Sequence, residues 1–182
     1  AEVLARVRLH LKLSIASKAV IALQTEKFKQ LHDAQQAILV NPEDLPDANF
    51  GISYNPVLEA GGDFYDVLAV GEGIFGYFVA DVSGHDLGAS FTTPAVKALL
   101  SQYANPVYTP ADVLKNINGI LSTMMADGNH ITASYVILNR ARREIEIVNA
   151  GHTPVMHISS EGQAEAIETS GDVLGAFDKV YF

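Results

Sequence analysis

Two stretches set carboxylates beside glycines: Glu59-Ala60-Gly61-Gly62-Asp63-Phe64-Tyr65-Asp66 and Ala80-Asp81-Val82-Ser83-Gly84-His85. Glycine lets the backbone approach an ion or a phosphate closely and leaves its carbonyls open as ligands. Residues 67–70 and 74–79 are mostly apolar, with Gly71-Glu72-Gly73 between them. That is a β-hairpin pattern, and a hairpin brings Asp63 and Asp81 together at one end of a sheet. Two carboxylates that close repel each other unless something positive sits between them. Hard divalent ions such as Mg²⁺ and Mn²⁺ prefer oxygen ligands and are the usual solution. Either aspartate alone reads as a strand-end carboxylate capping a turn. The pair, framed by glycines, favours the ion.

Other chemistries fit less well. Asp81, Ser83 and His85 supply the residue types of a nucleophilic triad but not its spacing. There is no Gly-x-Ser-x-Gly elbow, and residues two apart on an extended chain rarely reach each other. His85 and His152 fit either metal ligation or turn histidines held by backbone hydrogen bonds. Thr132 fits either a simple strand former or a hydroxyl placed near a metal-bound water. Phe64, Tyr65 and Phe78 read as core. Gly61-Gly62-Asp63-Phe64 partly resembles the Gly-Gly-acid-acid-Phe loop of diguanylate cyclases, but Phe64 stands where the second acid belongs. A proline-rich segment also replaces the upstream helix such an enzyme needs.

The elements that must carry these residues are legible in order. Residues 1–40 contain no glycine or proline, and Leu4, Val7, Leu11, Ile15, Ala22, Phe28, Leu31, Ala34 and Ile38 recur at helical spacings. This predicts one long amphipathic helix, or two, with imperfect heptads. Its apolar stripe needs a partner: a second chain in a homodimer, or its own domain. The opening residues 4–11 also resemble the last helix of a bacterial response-regulator receiver domain. Asn41-Pro42-Glu43-Asp44-Leu45-Pro46-Asp47 is a breaker segment, so the boundary is drawn between a 1–40 linker helix and a 41–182 domain.

Within that domain, residues 49–55 partly alternate and read as a first strand. Residues 86–103 read as a helix, with Pro94 kinking it or marking a late start. Thr109-Pro110-Ala111-Asp112 is a helix start with a Thr N-cap and an early acid,. Val113, Leu114, Ile117, Ile120, Leu121, Met124 and Met125 form that helix's buried face, and Asp127-Gly128-Asn129 ends it. The period then changes to two, giving strands over 130–139, 144–149, 155–158 and 164–168. Strands flank two consecutive helices rather than alternating with them, which makes the class α+β, with helices packed on antiparallel sheet.

Composition bounds the function. The chain has 182 residues, 48% of them hydrophobic, with no cysteine and a net charge of −9. Disulfides and thiolate metal sites are excluded, and the acidic balance argues against nucleic acid as the main partner. No apolar run reaches about 18 residues, so no transmembrane helix is read. There is no signal-peptide pattern, and a cytoplasmic location is expected.

Four stretches in order carry a resemblance: Gly-Gly-Asp-Phe-Tyr-Asp at 61–66, Asp-Val-Ser-Gly-His at 81–85, the strand bearing Thr132, and Asn-Ala-Gly-His-Thr-Pro at 149–154. Asp33-Ala34-Gln35-Gln36 and the run 171–177 fit the same pattern. The sequence closely resembles the PPM-type metal-dependent serine/threonine phosphatases of the SpoIIE/RsbU branch, over roughly residues 30–182. The resemblance implies an αββα sandwich of two packed antiparallel sheets flanked by helices. It implies two Mn²⁺ or Mg²⁺ ions and a metal-bridging water that attacks phosphoserine or phosphothreonine. Carried over, Asp81 bridges both ions, Asp63 binds one, and the Val82 carbonyl is a further ligand. Supporting roles fall to Gly62, Asp66, Ser83, His85, Asp86, Thr132 and His152. The implied substrate is a small regulatory protein of the anti-sigma-factor-antagonist type. The chain would be the output domain of a two-component regulator, with the N-terminal helix carrying a signal from a receiver or sensor domain.

Two departures follow. Asp86 stands where the family usually has glycine. The family places another metal-binding aspartate, in a Thr-Asp-Gly-like motif, beyond 171–177, and the sequence reaches Phe182 without one. The metal set is therefore expected to be incomplete as given. This motivates an alternative: a phosphatase-like module that binds or dimerises without turnover.

Overall fold

The computed structural model describes residues 2–55, 62–84, 87–125 and 128–182. The expectations for Glu59, Gly61, His85, Asp86 and Asp127 lie outside them. The element order is α1 (Glu2–Gln36), a 3₁₀ turn (Pro46–Ala48), β1 (Asp63–Gly71), β2 (Ile74–Val82), α2 (Leu87–Tyr103), α3 (Pro110–Met124), β3 (Ile131–Asn139), β4 (Glu144–Ala150), β5 (Val155–Ile158) and β6 (Ala164–Ile167). Strands β1 to β4 form an antiparallel sheet in sequence order, and β5 pairs with β6 in a second, two-stranded antiparallel sheet. The hairpin read at 67–79 is β1–β2, turning at Gly73 with φ 65.

Side chains alternate across a strand, so each face of the main sheet has its own job. One face carries Phe64, Phe78, Ala80, Ala133 and Tyr135 and meets α2 and α3. Val96 and Leu100 of α2 and Val113, Leu114, Ile117 and Leu121 of α3 are fully buried in that cluster. On the other face, near the hairpin turn, Val67 and Phe75 are covered by Ala48 and its neighbours Leu45 and Phe50. Two tyrosines pin that cover: Tyr77 Oη donates to the Ala48 carbonyl at 2.7 Å and Tyr65 Oη to the Val40 carbonyl at 3.1 Å.

The helix start read at Thr109 is a full capping box. Thr109 Oγ1 accepts from the Asp112 N–H at 3.2 Å, and Asp112 Oδ2 accepts from the Thr109 N–H at 3.3 Å,. Met124, expected in the buried face of α3, is 61% exposed at the last turn. Pro94 lies inside α2, which runs on to Tyr103. The strand expected at 49–55 does not form. Asn49 adopts a left-handed φ of 52, which interrupts the extended run at its first residue, and residues 50–55 form no ladder with any described strand although β1 has a free edge.

Among the described residues, helix α1 docks by its C-terminal end. Gln35 is buried, and its Nε2 donates to Thr93 Oγ1 of α2 at 3.3 Å. Upstream, apolar residues stand in water: Leu4, Val7, Leu11 and Ile15 are 52–65% exposed, as are Leu9, Leu13, Val20 and Leu23 at 55–59%. At about 100° per residue the first four share one side of the helix and the second four the opposite side. The helix therefore carries two apolar stripes rather than the single one expected.

Candidate metal centre

The register of the main sheet builds the site. Asp63 of β1 pairs with Asp81 of β2, and Asp81 pairs with Thr132 of β3. The three side chains lie in a row on the face turned away from α2 and α3. Directly opposed residues have Cβ atoms about 5 Å apart, so the carboxylates are forced together at the sheet's open end. The Asp63 carboxyl is pushed above its usual range, first by burial, then by the charge of Asp81 and a hydrogen bond with it, while His152 pulls it back down. An anionic pair of this kind is relieved by a proton or a cation. Lys97 is engaged by Asp66 on the opposite face at 2.8 Å.

Glycine is needed at position 62 for space. A Cβ there would collide with the carbonyl oxygen of Val82, whose own N–H donates to the Gly62 carbonyl at 3.2 Å. The Val82 carbonyl is thereby set against Gly62, next to Asp63. Ser83 is a clip: its N–H donates to the His130 carbonyl at 2.8 Å and its Oγ accepts from the His130 N–H at 2.7 Å. Its hydroxyl is thus committed to holding the turn after β2 against the start of β3.

His152 joins the row from the loop after β4. Its Nδ1 lies 2.8 Å from Thr132 Oγ1. Burial pulls the imidazole below its usual range, against the opposite pull of Asp81 and then Asp63. Asn149 holds this loop from inside, and sequence reasoning gave it no role of its own. Its Oδ1 accepts from the His152 N–H at 2.6 Å, and its Nδ2 donates to the His152 and Thr153 carbonyls at 3.0 and 3.3 Å. Tyr54, also missed, donates its hydroxyl to the Asp63 carbonyl at 3.0 Å. An Asn-x-x-His spacing is the only signal that pointed to the first, and nothing in the sequence pointed to the second.

Asp66 is not brought to this row. It lies an odd number of residues from Asp63 and so faces the helices, 1% exposed, with Oδ1 accepting from Lys97 Nζ at 2.8 Å and from the Val67 N–H at 3.0 Å. Its expected support of the site is corrected to a link between β1 and α2. Gly62, Asp63, Asp81, Val82, Thr132 and His152 do converge. Their oxygen-rich, mutually repelling set suits a hard divalent ion. Among the described residues no three His, Asp or Glu side chains come close enough to hold an ion alone, so Asp63 and Asp81 form a partial set.

Residues 71–182 match the family model described as Stage II sporulation protein E (SpoIIE). Phosphoserine phosphatase RsbP of Bacillus subtilis (strain 168) is 26% identical over 133 residues, covering 71% of this chain and 33% of that protein. The chain spans about a third of the length of the curated relatives it matches. Among solved structures, the SiaA-PP2C domain of Pseudomonas aeruginosa superposes with a TM-score of 0.74 at 20% identity, covering 90% of this chain and 68% of that one. RsbX in complex with magnesium gives 0.54 at 20% identity, covering 66% and 58%. These likenesses establish a PP2C-type fold, and with the family match over most of its length, the chain belongs to the SpoIIE family of PP2C-type domains.

Proposed function

We propose that this chain is the catalytic part of a metal-dependent phosphoprotein phosphatase acting on phosphoserine or phosphothreonine. The observation that carries the reading is the cross-strand row Asp63–Asp81–Thr132, completed by His152. RsbP, a relative, is by name a phosphoserine phosphatase, and RsbX, a structural neighbour, has been seen with magnesium. Asp63, Asp81 and the Val82 carbonyl would hold Mn²⁺ or Mg²⁺. When bound, such ions supply an activated water near neutral pH and neutralise charge on the phosphoryl oxygens. The chain's own residues do the rest. Gly62 lets the Val82 carbonyl reach the site, Ser83 fixes the turn, and Thr132 and Asn149 orient His152.

The substrate proposed is a phosphorylated regulatory protein of the anti-sigma-factor-antagonist type, in the cytoplasm. The parent protein would be a two-component output, signalled from a receiver or sensor domain. Helix α1 is proposed to pair with a second copy, because its two apolar stripes are otherwise left in water. Sedimentation should then show a dimer, and replacing Val7, Leu11 and Ile15 by Glu should give a monomer. A monomeric wild type at tens of micromolar would refute that pairing.

The deciding experiment is hydrolysis of p-nitrophenyl phosphate by the intact parent protein with and without Mn²⁺, beside Asp63→Ala and Asp81→Ala. Activity that requires manganese and is lost in both variants is the expected result. Turnover unaffected by either substitution would rule the site out. A second reading, a binding module without turnover, is favoured by the partial ligand set among the described residues. Partner control retained in Asp81→Asn would select it.

A further inference from the structure

His152 is placed with more constraint than a turn histidine needs. Besides two hydrogen bonds between His152 and the Asn149 side chain and a third from Asn149 to the Thr153 carbonyl, the loop runs through Gly151 at φ 66, where a Cβ would meet Val173 Cγ1 at 2.6 Å. Gly151 is bridged to Ala133 of β3, and Gly171 is pressed against the Asn149 carbonyl so closely that no Cβ would fit. Close packing of this sort leaves the loop little room to rearrange. What it produces is one ring orientation: Nδ1 on Thr132 Oγ1, and Nε2 with no partner among the described residues. The ring and Asp63 line one cleft of about 420 Å³, together with Tyr54, Tyr65 and Val79.

A neutral imidazole carries one N–H, and the partner of one nitrogen decides what the other can do. If Nδ1 held the proton it would donate to Thr132, leaving a bare Nε2 lone pair in the field of two carboxylates. If Nε2 holds it, Thr132 donates to Nδ1 and the positive N–H edge is the one left free in that field. The second arrangement is electrostatically favoured, and it satisfies the Thr132 hydroxyl as a donor.

We infer that Thr132 is a positioning residue that fixes His152 in the Nε2–H form, and that this N–H donates a hydrogen bond to a phosphoryl oxygen of the substrate. The inference rests on the phosphatase reading above and deepens it. A donor fixed in advance and aimed at phosphoryl charge costs no reorganisation during reaction. Unlike a lysine, a neutral N–H adds no charge to compete with a bound ion for Asp63 and Asp81.

The test is a long-range ¹H–¹⁵N correlation spectrum of the histidine rings in the ¹⁵N-labelled intact protein, the six of this chain among them. It is recorded at pH 7.5, first metal-free, then with Mg²⁺, then with Mg²⁺ and inorganic phosphate. His152 is expected as Nε2–H throughout, and phosphate should move its Nε2 resonance. Thr132→Val should populate the Nδ1–H form, and Thr132→Ser should restore the wild-type pattern. In turnover of p-nitrophenyl phosphate, His152→Leu should lose on the order of 10²-fold in kcat, and His152→Gln, which keeps an N–H at similar reach, should recover part of it. An Nδ1–H pattern in the metal-free wild type overturns the inference. So does a switch to Nδ1–H on adding Mg²⁺, which would make Nε2 a metal ligand. An Nε2 resonance unmoved by phosphate overturns it as well. Loss of the phosphatase reading registers separately, as absent Mn²⁺-dependent hydrolysis with the metal-free tautomer pattern intact.

Discussion

Replacing Lys97 by methionine should destabilise the protein in a way that depends steeply on pH. Asp66 is 1% exposed, and its only cationic partner among the described residues is Lys97 Nζ at 2.8 Å. Its second oxygen, Oδ2, has no hydrogen-bond partner among them. Burial already pushes this carboxyl above its usual value, with Lys97 opposing the shift. Methionine keeps the length of the side chain and removes the charge, leaving a buried carboxylate with one N–H donor. Breaking a buried pair from one side costs about 3–5 kcal/mol.

The buried group can instead take up a proton, and that sets a ceiling. Neutralising a carboxyl of ordinary pKa 3.8 costs about 1.4 kcal/mol per pH unit above that value. The ceiling is thus about 4 kcal/mol at pH 7 and about 2 kcal/mol at pH 5. In the variant the folded pKa is raised above the unfolded one. Stability is then lost as pH rises through the interval between them and regained as pH falls. For a chain of this size each kcal/mol shifts Tm by about 2–4 °C, so a deficit of up to about 8–16 °C at pH 7 should shrink by half or more at pH 5. Calorimetry of both proteins at the two pH values reads it directly. A deficit of the same size at both, or none at pH 7, would refute the reasoning. Asp66→Asn should cost less than Lys97→Met. The lysine side chain is 29% exposed and returns to water, while an amide oxygen can still accept from Val67.

Two further substitutions probe how the site is framed. Gly62→Ala should cost about 1–3 kcal/mol, because the obstructing atom is the Val82 backbone carbonyl rather than a flexible side chain. It should also weaken any Tm increase produced by Mn²⁺, and a variant with wild-type Tm and wild-type metal response would show that the close approach is unimportant. Thr109→Ala removes one half of the α3 capping box and should cost about 1 kcal/mol, read as a fall in the urea midpoint with an unchanged slope.

The positions of the strands were legible because period-two runs end at glycine, proline or Asn-Gly-like punctuation. The β1–β2 hairpin, β3, β4, β5 and β6 all begin and end within a residue or two of their expected limits, apart from β1, which starts earlier, and β2, which runs later. Those extensions carry Asp63 and Asp81 into the ladder itself. Residues 49–55 alternate, but alternation describes only a chain able to be a strand: the left-handed Asn49 interrupts the run, and the segment does not ladder onto the free edge of β1. Met124, the last residue of α3, lies at helical spacing from the buried Ile117 and Leu121, yet it is the next residue, Met125, that packs on the core. The second apolar stripe of α1 was passed over because Leu9, Leu13, Val20 and Leu23 fall outside the heptad that includes Leu4 and Leu11.

By itself the sequence determined which residues could do the chemistry. A hairpin's pairing is local, so Asp63 and Asp81 had to meet whatever the rest of the chain did. Tertiary structure alone decided what surrounds them. Thr132 reaches Asp81 only because β3 pairs with β2 after two intervening helices. His152 reaches Thr132 only because Asn149 folds the following loop back on itself. Asp66, three residues from Asp63, is turned to the opposite face by the pleat and handed to Lys97 of α2. Contacts between residues distant in sequence depend on how layers pack, and no local pattern of residue types encodes that packing.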